Sequence, residues 1–208
     1  MRGRLEAVSF PGPAGVLEGL WKEGSPAARG SAVVGHPHPH HGGTLHNKVV
    51  FRIGRALSAA GYGTLRFNFR GVGRSSGRFD EGRGEVDDYR AALDEAEKLG
   101  GTPMIAAGFS FGAAVALKAI EGDSRVRAFI GVGVPLAAES GRDAPPPRVP
   151  ALFVTGEKDA FGPPAMLETF APRSSRVVVV PGADHFLDGK MPALERAVAE
   201  FLDAPFPP

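Results

Sequence analysis

The chain has 208 residues, a formal net charge of +1 at pH 7, and 43% hydrophobic and 23% charged residues with both signs interspersed. That composition suits one globular domain, 1–208, long enough for a substantial core and short for two, and it lacks the basic excess expected of a nucleic-acid binder. Cysteine is absent, which removes disulfides, thiol chemistry and Cys-based metal sites.

The 29 glycines and 19 prolines fall between periodic segments and read as turns. The stretch Met1-Arg2-Gly3-Arg4-Leu5-Glu6 is not followed by an apolar run of the secretory kind, and no segment reaches membrane-spanning length. A cytoplasmic protein without a membrane partner is the expectation. Arginine outnumbers lysine, asparagine occurs only at Asn47 and Asn68, and glutamine is missing. Heat adaptation and a GC-rich genome would each produce that bias.

In chain order, Leu5–Phe10 and Leu17–Trp21 flank Pro11-Gly12-Pro13-Ala14-Gly15 and predict a strand pair with a turn. Ser31–Gly35 is a continuous apolar strand of the kind buried on both faces of a parallel sheet. It runs into His36-Pro37-His38-Pro39-His40-His41-Gly42-Gly43, after which Val50, Ile53, Leu57 and Ala60 mark a helix over Asn47–Ala60 that Gly61 stops. Thr64–Phe69 is the next strand, and Val86–Leu99 the next helix, with Tyr89, Leu93 and Ala96 on one face.

Met104–Ala107 then leads through Gly108-Phe109-Ser110-Phe111-Gly112 into a helix ending near Ile120. Strands follow at Val126–Val134, Ala151–Thr155 and Val177–Val180, and helices at Ala165–Phe170 and Ala193–Leu202. This alternation predicts an α/β fold with a mostly parallel sheet. About sixteen residues, including Pro145-Pro146-Pro147, separate the strands ending at Val134 and starting at Ala151. That is too short for a helical cap, so a site at the strand ends would be open.

Gly108-Phe109-Ser110-Phe111-Gly112 reads as a nucleophile elbow: a strand-to-helix turn so sharp that its central residue is strained and its neighbours have no room for side chains. Ser110 would then stand clear of the sheet, with the Phe111 N–H and the helix N-terminus facing any negative charge that develops. A serine nucleophile needs a base that is neutral near pH 7. Of six histidines, five (His36, His38, His40, His41 and His46) lie in one loop; His185, in Pro181-Gly182-Ala183-Asp184-His185-Phe186 after the last strand, is the base candidate. The loop Thr155-Gly156-Glu157-Lys158-Asp159 offers the acid that would orient it. Asp159 is preferred for its reach across to the histidine loop over Glu157, which sits nearer the strand. Ser110, Asp159, His185 is the chain order of this kind of sheet.

With these residues in place, the chain resembles the α/β-hydrolase superfamily, and within it the small lidless bacterial serine hydrolases of carboxylesterase type. His36-Pro37-His38-Pro39 with Gly42-Gly43, the run Phe67 to Ser75, the elbow, Asp159 and His185 carry the resemblance, which covers about Leu5 to Leu202. Asn68 stands where the superfamily often has aspartate, outside the triad.

The resemblance implies an α/β-hydrolase fold without a cap and a Ser110, Asp159, His185 triad. It also implies hydrolysis of small or short-acyl carboxylic esters through an acyl-enzyme, without metal or cofactor. An amide, thioester or lactone substrate, and a binding module with an idle triad, are the alternatives. The histidine loop follows a strand, where relatives supply the second oxyanion donor. Pro37 and Pro39 have no N–H, leaving His38 and His40, and the H-G-x pattern of relatives favours His38 beside Phe111. Metal binding by this loop is a further alternative, disfavoured because alternate histidines on a proline-stiffened segment point to opposite sides.

Arg70 and Arg74 are expected to pair with Asp80, Glu81 or Glu85 rather than hold an acidic substrate. Phe109, Phe111 and Phe161 either line an acyl pocket or pack. The expected partner is a small-molecule ester, and the expected state a monomer or small homo-oligomer.

Overall fold

The computed structural model describes residues 3–25 and 29–203; Met1 and Arg2, read above for a leader, and the last five residues of the 1–208 span lie outside them. Eight strands form one sheet in the order β1-β2-β4-β3-β5-β6-β7-β8. β1 (Leu5–Gly12) and β2 (Gly15–Lys22) are an antiparallel hairpin, and β2 runs antiparallel to β4 (Gly63–Phe67). From β4 onward every pairing is parallel, through β3 (Ser31–Gly35), β5 (Met104–Phe109), β6 (Val126–Val132), β7 (Ala151–Gly156) and β8 (Arg176–Val180).

β3, β5 and β7 are buried along their whole length, because both faces of the sheet are covered. The two-residue period of a strand divides them: Met104 and Ala106 enter one core, Ile105, Ala107 and Phe109 the other. The first core, with Phe67, Phe69, Tyr89, Phe111, Phe129 and Phe153, is closed by α2 (Gly84–Gly100), α3 (Phe111–Ala119) and α5 (Pro164–Phe170). The second is closed by α1 (Lys48–Ala59) and α6 (Met191–Leu202), through Val50, Ile53 and Leu57 of α1 and Leu194 and Val198 of α6. The two helices pack together and share ion pairs from Glu195 to Arg52 and Arg55. Asn47 starts α1 by accepting from the Val49 N–H at 2.9 Å, a cap worth about 1 kcal/mol.

The α/β class and mostly parallel sheet expected from the alternation are what the structure has, with small shifts at ends. β4 stops at Phe67 and β6 at Val132, whereas β5 extends to Phe109. The connection from β6 to β7 carries only a four-residue helix, α4 (Glu139–Arg142), and no cap. No helix among the described residues is long and apolar enough to cross a membrane.

One expected pairing is corrected. Arg70 pairs with Asp88, Nε to Oδ2 at 2.9 Å and Nη2 to Oδ1 at 2.8 Å, while Arg83 takes Asp80 and Glu81. Glu85 is spent on its own helix start, accepting from the Asp80 and Gly82 N–H groups at 2.8 Å each.

Candidate active site

Ser110 joins β5 to α3 with φ 54° and ψ −123°, a conformation that costs a non-glycine residue about 1–3 kcal/mol. It is held there from both sides. Its N–H donates to Val132 O at 2.8 Å, and its carbonyl accepts from Ala113 and Ala114 at 2.9 and 3.2 Å. The flanking glycines are required by space: a Cβ on Gly108 would lie 2.5 Å from Ala113 N, and one on Gly112 2.4 Å from the Gly35 carbonyl carbon. This second contact seats the start of α3 against the end of β3, from which the histidine loop departs.

His185 lies on the loop after β8, which is stitched to the loop after β7. Lys158 N–H donates to Ala183 O at 2.8 Å, Glu157 N–H to Val180 O at 3.0 Å, and Gly182 N–H to Glu157 Oε2 at 2.7 Å. Glu157 is therefore a brace for the histidine loop. Asp159, the preferred acid, is buried and faces His185 Nδ1 at 2.8 Å from Oδ2 and 3.0 Å from Oδ1. Its Oδ1 also accepts from the Phe161 and Gly162 N–H groups at 2.9 and 3.0 Å. Burial alone would raise its carboxyl, but the His185 hydrogen bond, these N–H groups and the charge of His185 outweigh that and hold it below the usual carboxylate range.

An ionised Asp159 only accepts, so Nδ1 carries the imidazole proton and the lone pair of Nε2 faces Ser110 Oγ, 2.9 Å away. The arrangement can take the hydroxyl proton as the oxygen attacks and return it to a departing group. Gly133, just past β6, supports the imidazole from below; a Cβ there would lie 3.0 Å from His185 Cε1. The sequence reading missed it, although a glycine interrupting Val132 and Val134 in an apolar run is a signal of close approach.

The N–H groups of Phe111 and His38 have no acceptor among the described residues. The two residues are neighbours, with ring centroids 5.2 Å apart. Phe111 is buried and packs against Phe69 and Phe79, so its ring belongs to the core; Phe109 is buried beneath His185.

The clustered histidines divide by environment. His36 is fully buried, accepts from Phe69 N–H through Nε2 at 3.1 Å and gives its Nδ1 proton to Pro37 O at 2.6 Å. Burial pushes its pKa down to about 4, so it is neutral at pH 7. The His38 ring rests among His40, His41, Phe79 and Phe111, with its pKa lowered by burial and then by His41 and His40. Among the described residues no group of three or more His, Asp or Glu is arranged to hold a metal ion. A cavity of about 560 Å³, lined by Leu117, Ile120, Val126, Pro147 and Val149, lies at the opposite end of the sheet, where the strands begin.

An open, mainly parallel sheet with helices on both faces and a serine on a strained strand-to-helix turn at its centre is that of an α/β hydrolase. The chain belongs to the Hydrolase_4 family, described as serine aminopeptidase, S33, whose model matches residues 38–147, a span that includes Ser110 and ends before Asp159. It is 35% identical to an α/β serine hydrolase homologue from Coxiella burnetii, covering 94% of this chain and 96% of that one with a TM-score of 0.86. A serine hydrolase without a lid from Xanthomonas campestris is 31% identical over 99% of this chain and 97% of its own, with a TM-score of 0.87. An uncharacterized protein of Rickettsia prowazekii is 32% identical over 95% of this chain and 89% of its own.

Proposed function

We propose that the chain hydrolyses carboxylic esters of small or short-acyl type. Ser110 Oγ attacks the carbonyl carbon while His185 Nε2 takes its proton. Asp159 keeps the imidazole in the required tautomer and stabilises the imidazolium, and the N–H groups of Phe111 and His38 hold the oxyanion. The imidazolium returns the proton to the leaving alkoxide. Water, deprotonated by the same nitrogen, then releases the acid from Ser110. No metal or organic cofactor enters these steps.

The observation that carries the reading is the hydrogen-bonded line Ser110 Oγ, His185, Asp159, at 2.9 and 2.8 Å, on a backbone strained at the serine. The family's description raises an amide alternative with the same chemistry. An aminopeptidase must also bind a substrate ammonium, and Glu157 and Asp184, exposed on the loops that carry Asp159 and His185, keep their charge while accepting from the Gly182 and Phe186 N–H groups, so the amide reading enters the test below. A small-molecule substrate, a cytoplasmic setting and a monomer or small homo-oligomer complete the proposal.

The test is labelling by a fluorophosphonate probe together with hydrolysis of p-nitrophenyl acetate and an aminoacyl p-nitroanilide, for wild type and Ser110→Ala, with and without a chelator. Chelator-insensitive ester hydrolysis, lost by about three orders of magnitude or more in the variant, is the expected outcome. Equal rates in both proteins would overturn the mechanism. Faster anilide than ester turnover would move the assignment to amides, and absence of both labelling and turnover would leave a binding module.

A further inference from the structure

Three phenylalanines among the described residues are about half exposed. Phe51 carries the Arg66 guanidinium over its ring at 5.4 Å. The other two, Phe161 at 48% and Phe186 at 47% exposure, both lean on the His185 imidazole, with centroids 4.8 and 5.4 Å from it. Buried Phe109 backs the same imidazole at 5.1 Å, so the imidazole has an aromatic floor and two open aromatic walls.

Neither wall is loosely placed. The Phe161 N–H donates to Asp159 Oδ1 at 2.9 Å and its carbonyl accepts from Ala137 N–H at 2.8 Å, while the Phe186 N–H donates to Asp184 Oδ1 at 3.0 Å. Half-exposed rings on anchored backbones present apolar area that a ligand can cover.

The chemistry at His185 says which part of a ligand that would be. When the tetrahedral intermediate collapses, the carbonyl carbon keeps its bond to Ser110 Oγ, its bond to the alcohol oxygen breaks, and that oxygen takes the proton from His185 Nε2. The departing oxygen must therefore lie within hydrogen-bond reach of Nε2, about 3 Å. A substituent on that oxygen is therefore carried beside an imidazole that the Phe161 and Phe186 rings both contact. The same two loops expose Glu157, Asp184 and Asp188 against Lys158 and Lys190, an excess of negative charge that disfavours an anionic substituent.

We propose that Phe161 and Phe186 form the leaving-group site, and that the ester is one of an uncharged alcohol with an apolar substituent. This rests on the esterase reading above. The experiment compares kcat/KM for methyl, n-butyl, benzyl and naphthylmethyl acetates in wild type, Phe161→Ala, Phe186→Ala and the double variant, with fluorophosphonate labelling of Ser110 in each. Because every substrate is an acetate, the ratio of wild type to variant cancels the alcohols' intrinsic reactivities.

The expected result is a benzyl-to-methyl ratio that falls about tenfold or more in the double variant. An unchanged ratio, or an equal loss on all four esters, overturns the proposal, the second because it would mean that the rings only support His185. Labelling without turnover of any acetate overturns the substrate class and leaves Ser110 as nucleophile; no labelling in wild type overturns the esterase reading itself.

Discussion

Replacing Gly133 by alanine tests whether the imidazole is positioned from below. Gly133 has φ 54°, and a Cβ there would meet His185 Cε1 at 3.0 Å, His185 Nδ1 at 3.1 Å and Phe109 Cε2 at 3.2 Å. Ordinary carbon contacts lie near 3.5–4.0 Å, so the imidazole must shift by roughly half an ångström. Phe109 is buried and cannot give way, while the Phe161 and Phe186 rings are half exposed and can turn aside toward solvent, so the shift is outward. The 2.9 Å contact from Nε2 to Ser110 Oγ lengthens accordingly.

Misplacement of a catalytic group by about 1 Å costs about 100-fold, so half of that is expected to lower kcat/KM about tenfold for p-nitrophenyl acetate. The left-handed backbone adds about 1 kcal/mol of instability, a fall of about 2–4 °C in Tm for a chain of this length. Gly122→Ala is the control: φ is 79° and nothing lies within 4 Å of the added methyl, so it carries the strain without the clash. It should lose similar stability and keep its activity. If Gly133→Ala hydrolyses the ester within twofold of wild type, or if Gly122→Ala loses as much activity, the positioning argument fails.

The strain at Ser110 has its own signature. Ser110→Gly and Ser110→Ala both remove the proposed nucleophile, but only glycine accepts φ 54° freely, so calorimetry should find the glycine variant about 1 kcal/mol, or about 2–4 °C, more stable. Equal melting temperatures would mean that the turn is unstrained.

His36 makes stability fall in mild acid. Unfolded, it takes up a proton near pH 6.5, but folded it resists protonation until about pH 4. Its contribution is therefore complete above pH 6.5 and declines as pH drops toward 4, by up to about 3 kcal/mol. Urea titrations across that range should show the slope, and His36→Asn should lack it.

Asp88→Asn leaves the Arg70 guanidinium, itself largely buried, without its counter-charge, and should cost about 3 kcal/mol by urea midpoint. A loss below about 1 kcal/mol would show the pair to be dispensable.

Much of this molecule is written in local pattern. The strand that leads to Ser110 is an unbroken apolar run, and the elbow glycines, the lone histidine outside the cluster and the chain order needed no tertiary information. Asp159 could be preferred over Glu157 because reach is a matter of loop length; what Glu157 does instead, bracing Gly182, depends on two loops meeting and was not legible. Arg70 was assigned to nearby acids because sequence distance was the only guide. Asp88 wins because α2 turns that face toward the loop after β4. His36 was indistinguishable from its neighbours in a run of five, since its burial comes from Phe69 crossing over it. Gly133 was read as a residue within a strand because what lies above it arrives from the far end of the chain.

The short connection from β6 to β7 has a chemical consequence. With only α4 between those strands, this connection forms no cap over Ser110 that would seal the proposed acyl-enzyme from its surroundings. In the proposed mechanism water then has no privileged access to the acyl carbon. An added alcohol that settles on the aromatic walls beside His185 competes for the acyl group from the position the first alcohol left, and the ratio of new ester to free acid becomes a direct reading of who occupies that surface.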